Sequence, residues 1–529
     1  MIKNCKNCSA EFEITNDDLD FYGKIKVPEP TFCPDCRLQR RLMMRNEKNL
    51  YKRSCDFCKK SIIAFFDSDV NFPVYCTDCW WSDKWDPRSY GQDFNFNRPF
   101  FEQFKELINK VPKANLLQLN NENSEYNSLL AFSKNTYMSP GSYLCEGCIY
   151  VRKSQSCKDC INSNIINKCE LVSNSVNCDS CYSSDYLLNC RSCSFSSYLD
   201  DCSNMQNSFM CSGVRNKNYC FKNKELTKEE FEKILAEYKM KNHEDIFSEF
   251  MGFSSSLPKR AVVQFNCENS TGDYLYNSKN AVECFDSFDI LDSKYLVECS
   301  GIKDSMDLCM HDKEIELCYE MSSGGEKNYM SKFCYCSIAA PFGEYLYSCF
   351  YLSNSFGCDG FHSKNEYCIL NKQYSKEGYE VLVARVIEYM KTAGEYGEFF
   401  PNFISTFAYN ESAAQDYFPL SKEEIISKGY VWKEAETAKA PSEIAALDCI
   451  VCKKQYRVIK QEQALYDKLN LKIPKRCSEC RYKELLKWKN PRKLWTRACA
   501  KCGNKIHSSY SPERAEIVYC EACYLASVY

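Results

Sequence analysis

Sixteen of the 38 cysteines form one frame written twice, and that frame limits what the chain can fold into. Cys5/Cys8, Cys33/Cys36, Cys55/Cys58 and Cys76/Cys79 are four C-x-x-C pairs, and Cys449/Cys452, Cys477/Cys480, Cys499/Cys502 and Cys520/Cys523 repeat them 444 residues later. Other positions keep the register: Phe12 with Tyr456, Tyr22 with Tyr466, Pro30 with Pro474, Arg37 with Arg481, Arg53 with Arg497 and Val74-Tyr75 with Val518-Tyr519. The two ends are copies of one module. Two C-x-x-C turns supply the four sulfurs of a tetrahedral site, and the last two pairs of each copy, 17 residues apart, have zinc-ribbon spacing. The expectation is two four-cysteine zinc sites per module, four zinc ions in the chain, with the choice between sequential and crossed pairing left open by spacing. Disulfides are the competing reading. The start Met1-Ile2-Lys3-Asn4-Cys5 carries no apolar signal core, which favours reduced thiols and a cytoplasmic protein.

No apolar run approaches the roughly 18 residues a membrane helix needs, so no membrane partner is expected. Charge is uneven. Residues 1–80 hold 13 basic and 12 acidic side chains, whereas residues 449–529 hold 18 and 7. Only the C-terminal module is a basic body.

The remaining cysteines follow another rule. From Cys148 through Cys160, Cys169, Cys181, Cys190 and Cys202 to Cys211 the steps alternate between 12 and 9, a period of 21 residues without helical character. Such a period predicts a parallel β-solenoid with stacked side-chain ladders, and residues 266–372 read as a second, less regular one. Their cysteines read as small buried hydrophobes rather than ligands. Each solenoid ends on an Asn/Lys-rich turn before a helix start, Thr227 with Glu230 in the first and Ser375 in the second, so both are expected to be capped by a helix.

The expected fold class is therefore mainly β: two β-solenoids with capping helices, flanked by tandem zinc ribbons. The expected segments are a module at 1–80, a linker and amphipathic helix at 81–112 laid over the first coil, and solenoids at 113–224 and 266–372. Capping helices fall at 225–242 and 373–393, connectors at 243–265 and 394–448 with a linker over 434–446, and the second module at 449–529.

The stretches Cys5 to Arg37 and Cys449 to Arg481, with Tyr22/Tyr466, Pro30/Pro474 and their C-[PS]-x-C-R elements, resemble a small bacterial zinc-ribbon domain family. The whole chain is similar to large cysteine-rich proteins of genome-reduced, uncultivated bacteria. That likeness rests on Asn123-Ser124-Glu125-Tyr126, Asn371 to Glu377 and Tyr409 to Leu420. The resemblance implies zinc binding and names no activity.

For function, a basic segment follows the second cysteine pair of each module: Arg37, Arg40, Arg41 and Arg45 in the first. In the second, Arg481, Lys483, Lys487, Lys489, Arg492, Lys493 and Arg497 interleave with Trp488 and Trp495. Cations for phosphates beside aromatic rings for unpaired bases point to RNA or DNA as the leading partner. Another protein, docking on the ribbons or solenoid faces, is the alternative. An enzyme is the weaker reading, because four histidines offer no zincin motif and no Gly-rich phosphate loop occurs. Asp286, Asp289 and Asp292 would suit a solenoid glycosidase only if a corner brought them together. A glycan-binding protein and a thiol-rich metal buffer or redox sensor complete the alternatives.

Overall fold

From Leu129 to Lys222, every third residue turns the chain through the left-handed region, with φ between 44° and 70°. In the computed structural model, which describes residues 1–434 and 446–528, these turns are the corners of a parallel β-solenoid. The register is Ile149↔Ile161, Asn164↔Val176, Asp185↔Ser197 and Leu199↔Cys211, always 12 residues. A coil of 12 with a corner every third residue has four short sides. The period of 21 in the sequence reading is thus a beat: a step of 12 keeps a cysteine on its own side in the next coil, and a step of 9 moves it one side back. The C-x-x-C pairs here are merely neighbours on adjacent sides.

The residue after each corner points inward. From Leu130 to Cys211 every such position is buried, and the series consists mainly of Cys and Ser with Val, Leu, Ile, Thr and Met. The reason lies in the backbone. A side of three residues leaves carbonyls and N–H groups facing the core, where an unpaired polar group costs about 1–3 kcal/mol. Short side chains with a donor repair this. The Cys157 thiol lies 3.3 Å from the Gln155 carbonyl and 3.4 Å from that of Ile166, and Cys190 repeats the pattern at Leu188 and Leu199. Serine satisfies both kinds of group: the Ser196 hydroxyl donates to the Ser194 carbonyl at 2.8 Å and accepts from the Ser208 N–H at 3.0 Å. Ser196→Ala should therefore cost about 1–3 kcal/mol and speed amide exchange at Ser208 above that of its neighbours, while Ser196→Cys costs less. Equal exchange in all three proteins would remove this account of the ladder.

Two compact units are present: Met1–Leu116 with Val263–Ala435, and Leu117–Val262 with Glu436–Tyr529. Each holds one solenoid and one cysteine module, and each module shares its unit with the solenoid remote from it in sequence. Among the described residues no helix is long and apolar enough to cross a membrane.

In the first unit, strands Gln264–Glu268 to Cys368–Ile369 form the solenoid, with single-residue insertions that stretch three steps to 13, as at Met306↔Tyr319, Tyr319↔Lys332 and Phe356↔Ile369. In the second, the coils run from Gln118–Leu119 to Cys220–Phe221. Both end in an antiparallel hairpin, Cys220–Phe221 with Lys224–Glu225 and Cys368–Ile369 with Lys372–Gln373. Lys222-Asn223 and Leu370-Asn371 both have positive φ there, as a tight hairpin turn requires. The turn reverses the last strand and so ends the parallel stacking. Helices follow as expected: Lys228–Lys239 carries the Thr227/Glu230 capping box, and Lys376–Thr392 starts at Ser375, whose hydroxyl accepts from the Gly378 N–H.

Three expectations need correction. Residues 243–265, expected as a plain connector, contain the helix His243–Ser255, whose Ile246 and Phe250 pack with Tyr198, Phe209 and Met210 of the solenoid. The amphipathic helix Phe100–Lys110, expected over the first coil, packs on the second solenoid of its own unit. Phe100 meets Tyr345 and Phe356 of the second solenoid, and Phe104 stacks on Phe400. Lys113–Ala114 pairs with Val74–Tyr75 of the N-terminal module instead of opening a solenoid. Residues 435–445, most of the linker expected at 434–446, lie outside the described residues.

Candidate metal centres

The cysteine pairs gather sequentially, not crossed. Cys5, Cys8, Cys33 and Cys36 form one tetrad, and Cys55, Cys58, Cys76 and Cys79 the next. Cys449, Cys452, Cys477 and Cys480, then Cys499, Cys502, Cys520 and Cys523, form the other two, with the sulfurs of each tetrad all within 4.8 Å of one another. Among the described residues these are the groups of three or more donors able to hold a metal ion. Cys8 and Cys33 lie 3.7 Å apart, Cys58 and Cys76 3.8 Å, Cys452 and Cys477 3.7 Å, and Cys502 and Cys520 3.8 Å. A tetrahedron with metal–sulfur bonds of ~2.3 Å has edges of about 3.8 Å, so the donors fit a tetrahedral ion with no rearrangement.

Local sequence explains that geometry. The first pair of each tetrad sits on a turn closed by two backbone bonds, Ser9 N–H to the Cys5 carbonyl and Cys5 N–H to the Ala10 carbonyl, with Lys59/Cys55/Lys60, Lys453/Cys449/Lys454 and Gly503/Cys499/Asn504 repeating it. Ser9, Lys59, Lys453 and Gly503 all take positive φ just after the pair. The second pair opens a helix: Pro34–Leu42, Thr77–Trp80, Ser478–Trp488 and Glu521–Val528. A ribbon would take both pairs from hairpin turns. Here the second pair lies at a helix N-terminus, whose dipole favours thiolate.

Backbone N–H groups aim at the sulfurs as well. Cys76 N–H donates to Cys55 at 3.2 Å, Cys477 N–H to Cys449 at 3.3 Å and Cys520 N–H to Cys499 at 3.2 Å. Burial pushes the Cys449 and Cys499 thiols up, yet the backbone donors outweigh it and bring each down to about 6. Sharing that charge pushes Cys523 up to about 12 through its contact with Cys520. Two thiols of the second solenoid differ from these: burial is the main cause that pushes Cys318 and Cys336 up to about 12, which keeps them protonated.

The segment after each second pair does not play one role. In the first unit Arg37, Arg40, Arg41 and Arg45 turn into the solenoid and are buried. Arg37 and Arg41 flank Asp307 at 2.8 Å and 3.1 Å, Arg40 meets Glu320 and Glu398 at 2.8 Å each, and Arg45 reaches Glu298 at 3.2 Å. Phe21 and Tyr22 pack edge-on against Tyr319 beside them. These arginines join module to solenoid and leave no cation for a phosphate, which corrects the nucleic-acid reading of Arg37 to Arg45.

In the second unit the same module face is used. Leu465 and Tyr466 pack on Ile149 and Ile161 of the solenoid, and Arg481 donates to the Tyr466 hydroxyl at 2.6 Å and pairs with buried Glu462. Trp488 stacks on Phe247 at 5.0 Å. Arg497 donates to the Ser511 and Glu516 carbonyls, as Arg53 donates to that of Asp67 in the other copy. Of the nine nucleic-acid candidates, Arg481, Trp488 and Arg497 thus serve the fold. Lys483, Lys487 and Lys493 are exposed, and Lys489, Arg492 and Trp495 half-buried. Lys493 lies 5.6 Å from the Trp495 ring.

Asp286, Asp289 and Asp292 occupy three successive corners, with φ of 54°, 55° and 48°. Each corner is a quarter of a coil, so the first and third face opposite ways. Asp286 is buried, and Asp292 accepts from the Asn280 amide in the coil before it at 2.7 Å. No common site results. No family model and no curated protein matches this chain.

Proposed function

We propose that this chain is a zinc-stabilised, non-enzymatic binding scaffold whose C-terminal module grips nucleic acid. Zinc follows from four thiolates in a tetrahedral arrangement, a donor set that suits Zn or iron–sulfur chemistry and leaves no fourth position open for catalysis. Metal analysis of protein purified without added metal should find about four zinc ions per chain. Iron instead, or none, would remove the zinc assignment.

The observation that carries the nucleic-acid reading is the different fate of the basic segment in the two copies. The N-terminal arginines are consumed by buried acids, whereas Lys483, Lys487 and Lys493 of the C-terminal copy are exposed, with Lys493 5.6 Å from the Trp495 ring. Exposed lysines can displace the counterions of a phosphate backbone, and an adjacent indole can stack on an unpaired base. Intact protein should bind single-stranded RNA or DNA with an affinity that falls steeply with salt. Changing all three lysines to alanine should lower the salt slope by roughly 2, at about 0.7 per single-strand phosphate contact. Absent binding at low salt, or a slope that ignores the triple variant, would reject the grip.

A further inference from the structure

The first unit has a cleft of about 430 Å³, bordered on one side by Asn7 and by Cys36 of the first tetrad. It opens between the helix Pro34–Leu42, the start of the helix Phe100–Lys110 and the chain after the second capping helix. Aromatic and acidic side chains share its lining: Phe101, Phe403 and Tyr430 line it together with Glu102, Glu395 and Glu398. Phe101 and Tyr430 are buried, while Phe403 stands at the lip, 53% exposed. Arg40 is the single cation in the lining, and Glu398 and Glu320 already hold it at 2.8 Å each.

Two of the carboxylates are fixed in place by the fold. Glu398 accepts from the Thr31 N–H at 2.8 Å and the Thr31 hydroxyl at 2.7 Å. Glu395 accepts from the Phe100 and Phe101 N–H groups at 2.8 Å and 3.1 Å, which caps that helix. Glu102 remains in solvent with only a loose contact to Arg98 at 3.9 Å. The lining therefore carries three carboxylates against one spoken-for guanidinium.

We propose that this cleft binds an alkylammonium group. An anion meets a surplus of negative charge. A neutral apolar molecule would strip water from Glu102 and Glu395 without replacing it, a cost of a few kcal/mol. An alkylammonium satisfies both demands: its charge faces the carboxylates and the ring faces of Phe101, Phe403 and Tyr430, a contact worth about 0.5–2 kcal/mol. Its alkyl stem lies along Pro99 and Pro401, which line the same cleft. The volume falls within the range of roughly 300–1,000 Å³ usual for small-ligand sites, larger than an ammonium alone needs. The same chemistry is carried by a free polyamine and by a lysine side chain of a partner protein.

Calorimetry on the intact chain tests this with four probes: spermidine, Nα-acetyl-lysine methylamide, succinate and 1,6-hexanediol. Both cations should bind at least about 10-fold more tightly than the diol, a difference of ~1.4 kcal/mol, and succinate should not bind. Spermidine ahead of the lysine amide assigns the site to a free amine, and the reverse order to a protein lysine. Glu102→Gln and Phe403→Ala change only lip residues, so thermal melting and metal content should stay as in the parent while cation binding weakens several-fold. Failure of both cations to bind at concentrations on the order of 10 mM overturns the proposal. So does binding that neither variant alters.

Discussion

Chelating the metal from the intact chain should unfold both cysteine modules while the solenoid ladders stay folded. The two tetrads of each module carry its turns and helix starts. The helix Pro34–Leu42 has no side-chain cap and begins at a ligand, as does Ser478–Trp488. Structural zinc in small domains contributes an apparent ~10–16 kcal/mol, more than a module of this size draws from its own core. The solenoids need no metal, because their thiols are hydrogen-bonded to carbonyls at 3.3–3.7 Å. Amide exchange read by mass spectrometry checks this: protection should vanish in 34–42 and 478–488 and persist in 145–211. Loss of metal with both helices still protected would mean the tetrads are incidental to the fold. Acid should act in the same direction as chelator, since every ligand must shed a proton to bind and protons compete as pH falls.

The sequence made the tetrads legible because metal ligation tolerates so little. Eight cysteines held in register across 444 residues could only be a repeated site, and the structure adds the pairing that spacing left open. The solenoid was legible as a type but not in its period. Cysteine was the one visible marker of an inward series shared with serine, valine and leucine, so a triplet rule appeared as steps of 9 and 12. Corners were hidden for a similar reason. Left-handed backbone favours Asn, Asp or Gly, yet here Leu144, Ile165 and Tyr198 also adopt it, held by the hydrogen bonds between coils. The matched positions Arg37/Arg481 and Tyr22/Tyr466 stand out in the sequence as duplicated. What sequence could not show is that they are the face each copy lays on a solenoid, because the acids that receive the N-terminal copy, Asp307 and Glu320, lie 270 and 280 residues away along the chain.

Those acids give the other large expected effect. Asp307→Asn should destabilise the first unit by about 3–5 kcal/mol, the usual penalty for removing one partner of a buried ion pair. Asp307 is fully buried between Arg37 and Arg41, themselves 1% and 0% exposed, so its loss leaves two guanidinium groups in a site water does not reach. Attraction between exposed charges is worth far less. Lys3 and Glu29, each about a third exposed, form a pair that should contribute under about 1 kcal/mol. Glu29→Gln is therefore the matched control within the same module. The pair's net value is a separate question from the cost of breaking it, since taking both charges out of water offsets most of their attraction. The double variant Arg37→Met with Asp307→Leu should accordingly recover much of the stability that Asp307→Asn loses, with Arg41 still unbalanced. Urea unfolding followed in the first unit separates these outcomes. A loss below about 1 kcal/mol for Asp307→Asn would place the pair in the exposed class, and would show that water enters between the module and its solenoid.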